Sequence, residues 1–174
     1  MSSPRTVIRS IWSFGLLNAA TTYTGSTTLA AGTFATGAAG IFSRDFAFTV
    51  QPAVILDRQG FDQTLTSLTN SGLVRTGGSA EALLTTTNYI GRGGTLAIDT
   101  YLAADNSPSD KVVINGGIAT GTTTLTVRNA GGSGILTTAD GIWVIQTKNG
   151  GTTATEAFML GGEARGGALD YRLF

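Results

Sequence analysis

Residues 88–174 read NYIGRGGTLAIDTYLAADNSPSDKVVINGGIATGTTTLTVRNAGGSGILTTADGIWVIQTKNGGTTATEAFMLGGEARGGALDYRLF, and this stretch decides the fold. Short apolar bursts recur along it, separated by Gly, Thr, Asn, Asp and Ser. This spacing of apolar segments is typical of short strands joined by tight turns and loops, and it is not typical of helices or of a cleft enzyme. The stretch therefore predicts stacked short strands.

The composition of the whole chain also favours an all-β fold. Its 174 residues suit one domain or one stretch of a repeat array. A hydrophobic content of 41% is enough for a core despite the 25 glycines. Thr is favoured on half-exposed strands, while Gly and Asn fit turns that need a positive φ.

Charge and residue types argue against several functional classes. The 11 basic and 11 acidic residues give no net charge, so nothing indicates the basic face that nucleic-acid binding needs. The chain has no His and no Cys. This excludes Ser-His-Asp and Cys-His nucleophiles, His- or thiolate-ligated metals and disulfides. We therefore expect no cofactor and no metal.

Three motifs in the C-terminal half resemble one family. They are SDKVVINGG at 109–117, DGIWVIQ at 140–146, and the ending AFMLGG at 157–162 with GGALDYRLF at 166–174. Together they resemble the membrane-proximal end of an autotransporter (type V secretion) passenger domain, with its pertactin-like autochaperone region. Leu169 stands where that family commonly has Tyr, which is a conservative difference.

The N-terminal half resembles the same family. Residues 21–33, TTYTGSTTLAAGT, are similar to the passenger-associated repeat, and the likeness continues through 47–74. We expect β-helix coils with this repeat over 1–87 and a capping, autochaperone-like region over 88–174.

The expected fold is a right-handed parallel β-helix with a C-terminal capping module. Each coil would take roughly 20–25 residues, which gives about seven or eight coils with strands about 4.8 Å apart. Periodicity alone leaves an antiparallel sandwich open, and the family resemblance favours the β-helix.

Alternation of apolar and polar residues predicts which side chains face inward. Phe46, Phe48 and Val50 alternate with Ala47 and Thr49. In the C-terminal part the inward set is Leu96, Ile98, Val112, Ile114, Leu125 and Val127. Asp99, Thr126 and Arg128 are expected to face outward. The continuous apolar run 142–145 predicts a strand covered on both faces, and 169–173 predicts a final strand with one charged face.

The candidate functional residues are structural, and the resemblance implies that they form a cap and a folding nucleus. The nucleus strand would contain Ile142, Trp143, Val144 and Ile145, and the hydrophobic end would be closed by Phe158, Leu160, Leu169, Tyr171 and Leu173. If Trp143 is buried, its replacement by Ala should cost about 3–5 kcal/mol.

Two groups of carboxylates could suggest other chemistry. Asp105 and Asp110 offer oxygen ligands for a hard cation, but their spacing lacks a calcium-loop pattern and favours an Asx-rich turn. Asp57, Asp62 and Asp140 would have to converge on one groove to act as a β-helix hydrolase or lyase does. The sequence pairs none of them in a recognisable motif.

The resemblance implies a role in secretion. The passenger would leave the cell C-terminus first through its own outer-membrane β-barrel, and this segment would fold first at the cell surface and template later coils. The barrel is the implied partner, and a monomer is expected. Two alternatives stay open, namely an adhesin segment that binds host surfaces or glycans through exposed Thr and Ser, and a β-helix carbohydrate-active enzyme.

Overall fold

The computed structural model describes residues 7–9, 15–18, 25–42, 44–45 and 47–174, and strands are the regular elements throughout this part of the chain. No helix among these residues is long and apolar enough to cross a bilayer. The strands are β1 (Val7–Arg9), β2 (Gly15–Leu17), β3 (Thr27–Leu29), β4 (Thr33–Thr36), β5 (Ala47–Val50), β6 (Ile55–Asp57), β7 (Gln63–Asn70), β8 (Leu73–Arg75), β9 (Leu83–Thr100), β10 (Lys111–Asn115), β11 (Ile118–Asn129), β12 (Ile145–Lys148), β13 (Thr152–Thr153), β14 (Met159–Leu160), β15 (Ala164–Gly166) and β16 (Leu169–Tyr171).

Strands β1 to β14 form a parallel β-helix, which confirms the predicted fold. The odd strands β1, β3, β5 and β7 stack along one face, and the even strands β2, β4, β6 and β8 stack along another. The long strand β9 pairs with both β7 and β8 and so covers both faces. Strands β10 and β11 stack on β9, and β12, β13 and β14 stack on them. The described residues thus form seven coils.

One stack of apolar side chains runs through five successive coils. Phe34, Leu56, Val74, Leu96 and Leu125 are paired from strand to strand, each with the equivalent residue one coil later. Phe34 is 6% exposed and the other four are 0% exposed. Each contributes roughly 1.5–3 kcal/mol by burial, and each coil depends on its neighbours for that burial.

A second stack, on the other face, combines aromatic and aliphatic side chains. Phe48, Leu68, Tyr89 and Ala119 are paired in the same way and are all buried. The hydroxyl of Tyr89 accepts hydrogen bonds from Asn70 Nδ2 (3.1 Å) and from the Thr123 hydroxyl (3.2 Å), so its polar end is satisfied inside the core.

Coil length changes along the chain. Paired residues are 18–22 apart from Leu56 to Val74 and from Val74 to Leu96, but 29 apart from Leu96 to Leu125 and 35 apart from Leu125 to Leu160. The predicted 20–25 residues therefore fail for the last coils. The extra residues lie in two loops, 101–110 and 130–144.

Most predictions of inward-facing residues are confirmed. Leu96, Ile98, Val112, Ile114 and Leu125 are buried, and Val127 is half-buried against the same core. In the alternating run of the N-terminal half, Phe48 and Val50 are buried. Phe46 lies outside the described residues. The outward-facing Arg128 is exposed as expected. Strand β16 alternates as predicted, with Asp170 exposed between half-buried Leu169 and Tyr171.

One prediction is wrong, and one outward-facing residue is more covered than its position suggests. Asp99 is only 5% exposed, because Arg128 covers it and donates from Nε to its Oδ1 over 2.6 Å. The run 142–145 is not a strand covered on both faces: only Ile145 belongs to β12, and Trp143 is 42% exposed. The run opens the last described coil, so no following coil covers it.

A close approach of two strands requires glycine. Gly121 of β11 has a φ of +77° and is paired with Gly91 of β9. A Cβ atom at position 121 would lie 1.9 Å from the carbonyl oxygen of Gly91, which no side chain could accommodate without moving the backbone.

Replacing Leu96 by Ala should lower the free energy of unfolding by about 2–5 kcal/mol, because it opens a cavity in the middle of the first stack. The matched control is Thr95→Ala, since Thr95 precedes it on the outer side of β9; that variant should lose less than about 1 kcal/mol. Urea unfolding followed by circular dichroism measures both. Equal losses in the two variants would contradict the assigned register.

Candidate functional site

The C-terminal end of the β-helix is built differently from the coils before it, and residues 130–174 are here called the cap. The cap contains loop 130–144, the last coil with β12, β13 and β14, and the antiparallel hairpin of β15 and β16. In the described part of the chain, β12 pairs only with β10, and β13 and β14 pair only with β11. The end of a repeat array needs such a specialised unit, because one side lacks a neighbouring repeat.

Tyr171 joins the hairpin to both long loops. Its hydroxyl accepts a hydrogen bond from the Ile135 N–H over 3.0 Å. The same hydroxyl lies 2.7 Å from the Ile135 carbonyl and 3.1 Å from the Ala103 carbonyl, either of which can accept its proton. One side chain therefore connects β16 to loop 130–144 and to loop 101–110.

Asp105 holds the second half of loop 130–144. Its carboxylate accepts backbone N–H groups from Thr138 (2.8 Å), Ala139 (3.1 Å) and Gly141 (2.7 Å). The hydrogen bond from Thr138, followed by those from Gly141 and Ala139, holds the pKa of Asp105 below its ordinary value of 3.8. This carboxylate therefore acts as an anchor for a loop, and no cation is needed to explain its position.

Asn129 shapes the start of the same loop. Its side-chain oxygen accepts the N–H groups of Gly131 (3.1 Å) and Gly132 (2.6 Å), and its Nδ2 donates to the Gly132 carbonyl over 2.8 Å. Nδ2 also lies 3.4 Å from the carbonyl of Arg165 in the hairpin. This Asx turn ends β11 and brings the loop against the hairpin.

The hairpin packs closely against loop 101–110 at a glycine of β15. A Cβ atom at Gly166 would lie 2.6 Å from the carbonyl oxygen of Leu102, so a larger residue would push the two segments apart. On the outer face, Arg165 Nε donates to Asp170 Oδ1 over 2.8 Å, and both side chains are more than half exposed. An exposed ion pair of this kind adds little to stability, because solvent screens it.

Phe158 connects the last coil to the core. Its ring centroid is 5.1 Å from that of Tyr89, with the planes tilted by 40°. Tyr89 is fully buried in the second stack, and Ala157, next to Phe158, is also 0% exposed. Such a tilted aromatic contact stabilises the junction between coil and cap beyond simple burial.

An apolar cleft of about 390 Å³ opens between loop 130–144 and the chain terminus. Leu102 and Leu125 lie at its floor, since both are buried, and Leu136 and Phe174 stand at its rim with exposures of 68% and 110%. The cleft thus reaches the end of the first stack.

The structure brings the predicted cap residues together around this cleft. Its lining includes Ile142, Trp143, Val144, Ile145, Leu160, Leu169, Tyr171 and Leu173. Phe158 lies on a neighbouring cleft that shares Trp143, Ile145, Leu160 and Leu173 with the first. None of the nine is fully buried. Because Trp143 is partly exposed, its truncation should cost less than the value expected for a buried Trp.

Sequence reasoning missed Asn129 and the buried Ala157, and it assigned Asp105 to an Asx-rich turn without its role in fastening the cap. Asn129 precedes Ala-Gly-Gly, and an Asx residue before glycines is a recognisable turn signal. Nothing in the sequence pairs Asp105 with a loop more than 30 residues later.

The remaining acidic residues have separate local roles. Asp57 Oδ1 accepts the N–H of Gln59 (2.9 Å), and Asp62 Oδ1 accepts the N–H of Leu83 (2.7 Å). Asp140 is exposed beside the apolar cleft. Among the described residues, no group of three or more acidic side chains is placed to hold a metal ion.

Comparison with known proteins gives a consistent result. A family model described as Autochaperone Domain Type 1 matches residues 64–173. The chain is 39% identical over 116 residues to the uncharacterised protein YuaQ of Escherichia coli (strain K12), which is 66% of this chain and 8% of that protein. It is 35% identical over 171 residues to the adhesin BmaC autotransporter of Brucella suis biovar 1 (strain 1330), covering 88% of this chain and 4% of that protein. The chain therefore spans less than a tenth of these relatives.

Tyr171→Phe should weaken the attachment of the hairpin, because the Ile135 N–H loses its acceptor. The expected cost is about 1–2 kcal/mol, seen as faster amide hydrogen exchange at Ile135. Tyr101→Phe is the matched control, since Tyr101 is exposed and no hydrogen bond of its hydroxyl is found among the described residues. Unchanged exchange at Ile135 in Tyr171→Phe would show that the hydroxyl does not hold the loop.

Acid should release loop 130–144. A carboxyl whose folded pKa is depressed contributes stability above its unfolded pKa, and this contribution is lost as the pH falls through the folded pKa. For Asp105 that window lies below pH 3.8. NMR amide shifts of Thr138 and Gly141 should titrate there in the unaltered chain and should not do so in Asp105→Asn. An identical titration in both proteins would refute the anchor.

Proposed function

Because this chain belongs to the type 1 autochaperone domain family and is a fragment of an autotransporter passenger, we propose that its C-terminal coils are the folding nucleus of that passenger. The family model begins at residue 64 and so covers β7 to β16 but not the earlier strands. The proposed nucleus consists of the coils from β9 onward together with the cap.

One observation carries this proposal: the longest strands lie directly before the cap, although β12 to β16 of the cap itself again have two to four residues each. Strands β1 to β6 have three or four residues each, whereas β7 has eight, β9 has 18 and β11 has 12. Each longer strand adds backbone hydrogen bonds and stacked side chains to its coil. The cap then ties two long loops to this region through Tyr171, Asp105 and Asn129. These long strands and loop contacts are the reason for placing the start of folding in this region.

This arrangement suits secretion through an outer-membrane β-barrel, the partner that we propose for the parent protein. A passenger that emerges C-terminus first presents these coils outside the cell before the others. No ATP is available there, so the free energy of folding has to supply the direction. An existing coil gives the next one a template and spares it a new nucleation step. The location that follows from this mechanism is the bacterial cell surface.

Within the nucleus we assign the closing role to the side chains around the apolar cleft. These are Ile142, Trp143, Val144, Ile145, Leu160, Leu169, Tyr171 and Leu173, with Phe158 linking them to Tyr89. They cover the end of the inner stacks, where a coil lacks a neighbour on one side.

The adhesin alternative has one observation in its favour, which is the name of the Brucella relative. This chain matches only 4% of that protein, so the name cannot be assigned to this segment. Exposed Thr and Ser side chains are equally explained by strand propensity and solubility.

Two matched variants test the nucleus. Leu56 and Leu125 belong to the same inner stack and are both 0% exposed, but Leu56 lies in the third coil and Leu125 in the sixth. If the C-terminal coils fold first, Leu125→Ala should slow folding, whereas Leu56→Ala should mainly speed unfolding. Stopped-flow refolding and unfolding in urea measure both rates.

A secretion assay provides the companion test. In the parent protein, Leu125→Ala should reduce the amount of passenger displayed at the cell surface more than Leu56→Ala does. The proposal fails if Leu56→Ala slows refolding while Leu125→Ala leaves the refolding rate unchanged.

A further inference from the structure

Arg58 is the largest fully buried side chain among the described residues. It follows β6 in the third coil, where its N–H donates to the Arg75 carbonyl over 2.9 Å and its carbonyl accepts the Thr36 hydroxyl over 2.7 Å. Nη2 donates to the Phe61 carbonyl over 3.1 Å. Nε and Nη1 are buried, and no atom of the described residues accepts from them. A guanidinium so enclosed has to find acceptors and a counter-charge.

A carboxylate is buried near the turn that follows β6, on the side toward the C-terminal coils. Gly60 N–H, in the turn after Arg58, donates to the Thr76 carbonyl over 2.7 Å. The Thr76 hydroxyl in turn donates to Asp110 Oδ2. Asp110 is 0% exposed and also accepts the N–H groups of Ala82 and Asp99, each over 2.8 Å. Thr76 thus stands between the turn that bears Arg58 and the carboxylate of Asp110.

The two groups share an environment that is costly for charge. Burial lowers the pKa of Arg58 to about 10, against the opposing influence of Asp110 first and Asp62 second. Burial likewise raises the pKa of Asp110, although three hydrogen bonds favour its ionised form. Arg58 therefore keeps its proton at neutral pH. Asp62 is exposed and its Oδ1 accepts the Leu83 N–H. The neighbouring Asp99 is bonded to Arg128, which leaves Asp110 as the buried carboxylate that can balance Arg58.

We propose that Arg58, Thr76 and Asp110 form a hydrated charge site inside the β-helix. Internal water molecules accept from Nε and Nη1 of Arg58, and Asp110 supplies the counter-charge from the loop after β9, two coils further along. Water fits this site better than a small anion, because Asp110 already provides the negative charge. Buried water of this kind satisfies polar groups that the protein itself leaves without partners. The site is independent of the folding role proposed above.

A double-mutant cycle tests the charge link. Arg58→Met and Asp110→Asn should each raise the unfolding equilibrium constant by at least about tenfold, because each leaves one buried charge without its partner. The double variant should be less destabilised than the product of the two effects by about tenfold or more. Asp110→Asn also weakens the hydrogen bond that the Asp99 N–H donates to this side chain. That loss occurs whether residue 58 is Arg or Met, so it cancels from the coupling energy of the cycle.

Arg75→Met is the matched control for this cycle. Arg75 is adjacent to Thr76 but exposed, and its guanidinium lies 4.0 Å from Asp57. Its effect should be additive with that of Asp110→Asn. Additive effects of Arg58→Met and Asp110→Asn would overturn the proposed link.

A crystal structure of the unaltered chain, grown with sodium bromide, tests the water and does not depend on any variant folding. Ordered water oxygens about 3 Å from Nε and Nη1 of Arg58, without anomalous bromine signal, are the expected result. A bromide ion at that place would overturn the proposal by making this an anion site. A guanidinium in contact with protein acceptors alone would overturn it as well.

Discussion

The structure depends on one constraint, which is that each inner side chain has to lie directly over its equivalent one coil earlier. Parallel pairing from Phe34 to Leu125 and from Phe48 to Ala119 fulfils it on two faces at once. Since side chains alternate between the two sides of a strand, a slip by one residue would turn a buried stack outward. The constraint also explains the polar residues of the interior. Asn70 and Thr123 lie in the coils before and after that of Tyr89 and both donate to its hydroxyl, so a slip would break hydrogen bonds that join three successive coils.

The same constraint makes the end of the array a separate physical problem. A coil inside the stack is covered on both sides, whereas among the residues that the structure describes the coil of β12 to β14 is paired only with β10 and β11. The cap meets this problem mainly with polar links between distant segments, such as Tyr171 to Ala103 and Asp105 to Gly141. Apolar side chains there are only partly covered, as Trp143 shows. Hydrogen bonds therefore fix the position of the cap, and its apolar side chains pack against the end of the inner stacks.

The sequence predicted the strands of the inner stacks well, because alternation with a period of two translates directly into burial. Leu96, Ile98, Val112 and Ile114 are buried as expected. It failed where burial depends on a neighbour rather than on the local pattern. The four consecutive apolar residues 142–145 predicted a buried strand. They are partly exposed because no coil among the described residues covers them. Asp99 is buried by Arg128, a pairing across 29 positions that periodicity cannot reveal.

The predicted cleft residues do lie together, whereas the anchoring roles of Asp105 and Asn129 are visible only in the three-dimensional structure. The boundary at 87/88 stays a prediction, and β9 runs through it without a break.

The regular spacing of the first coils has an evolutionary consequence. From Val7 to Thr27, Phe48, Leu68 and Tyr89, each step is 20 or 21 residues, and both ends of such a step occupy equivalent positions on one face. Gain or loss of a segment of that length would leave the stacking on either side unchanged. Duplication or deletion within the gene can therefore lengthen or shorten the β-helix by whole coils. The region between Ala103 and Tyr171 lacks this freedom, because its segments are bonded to particular partners and would have to be inherited as one block.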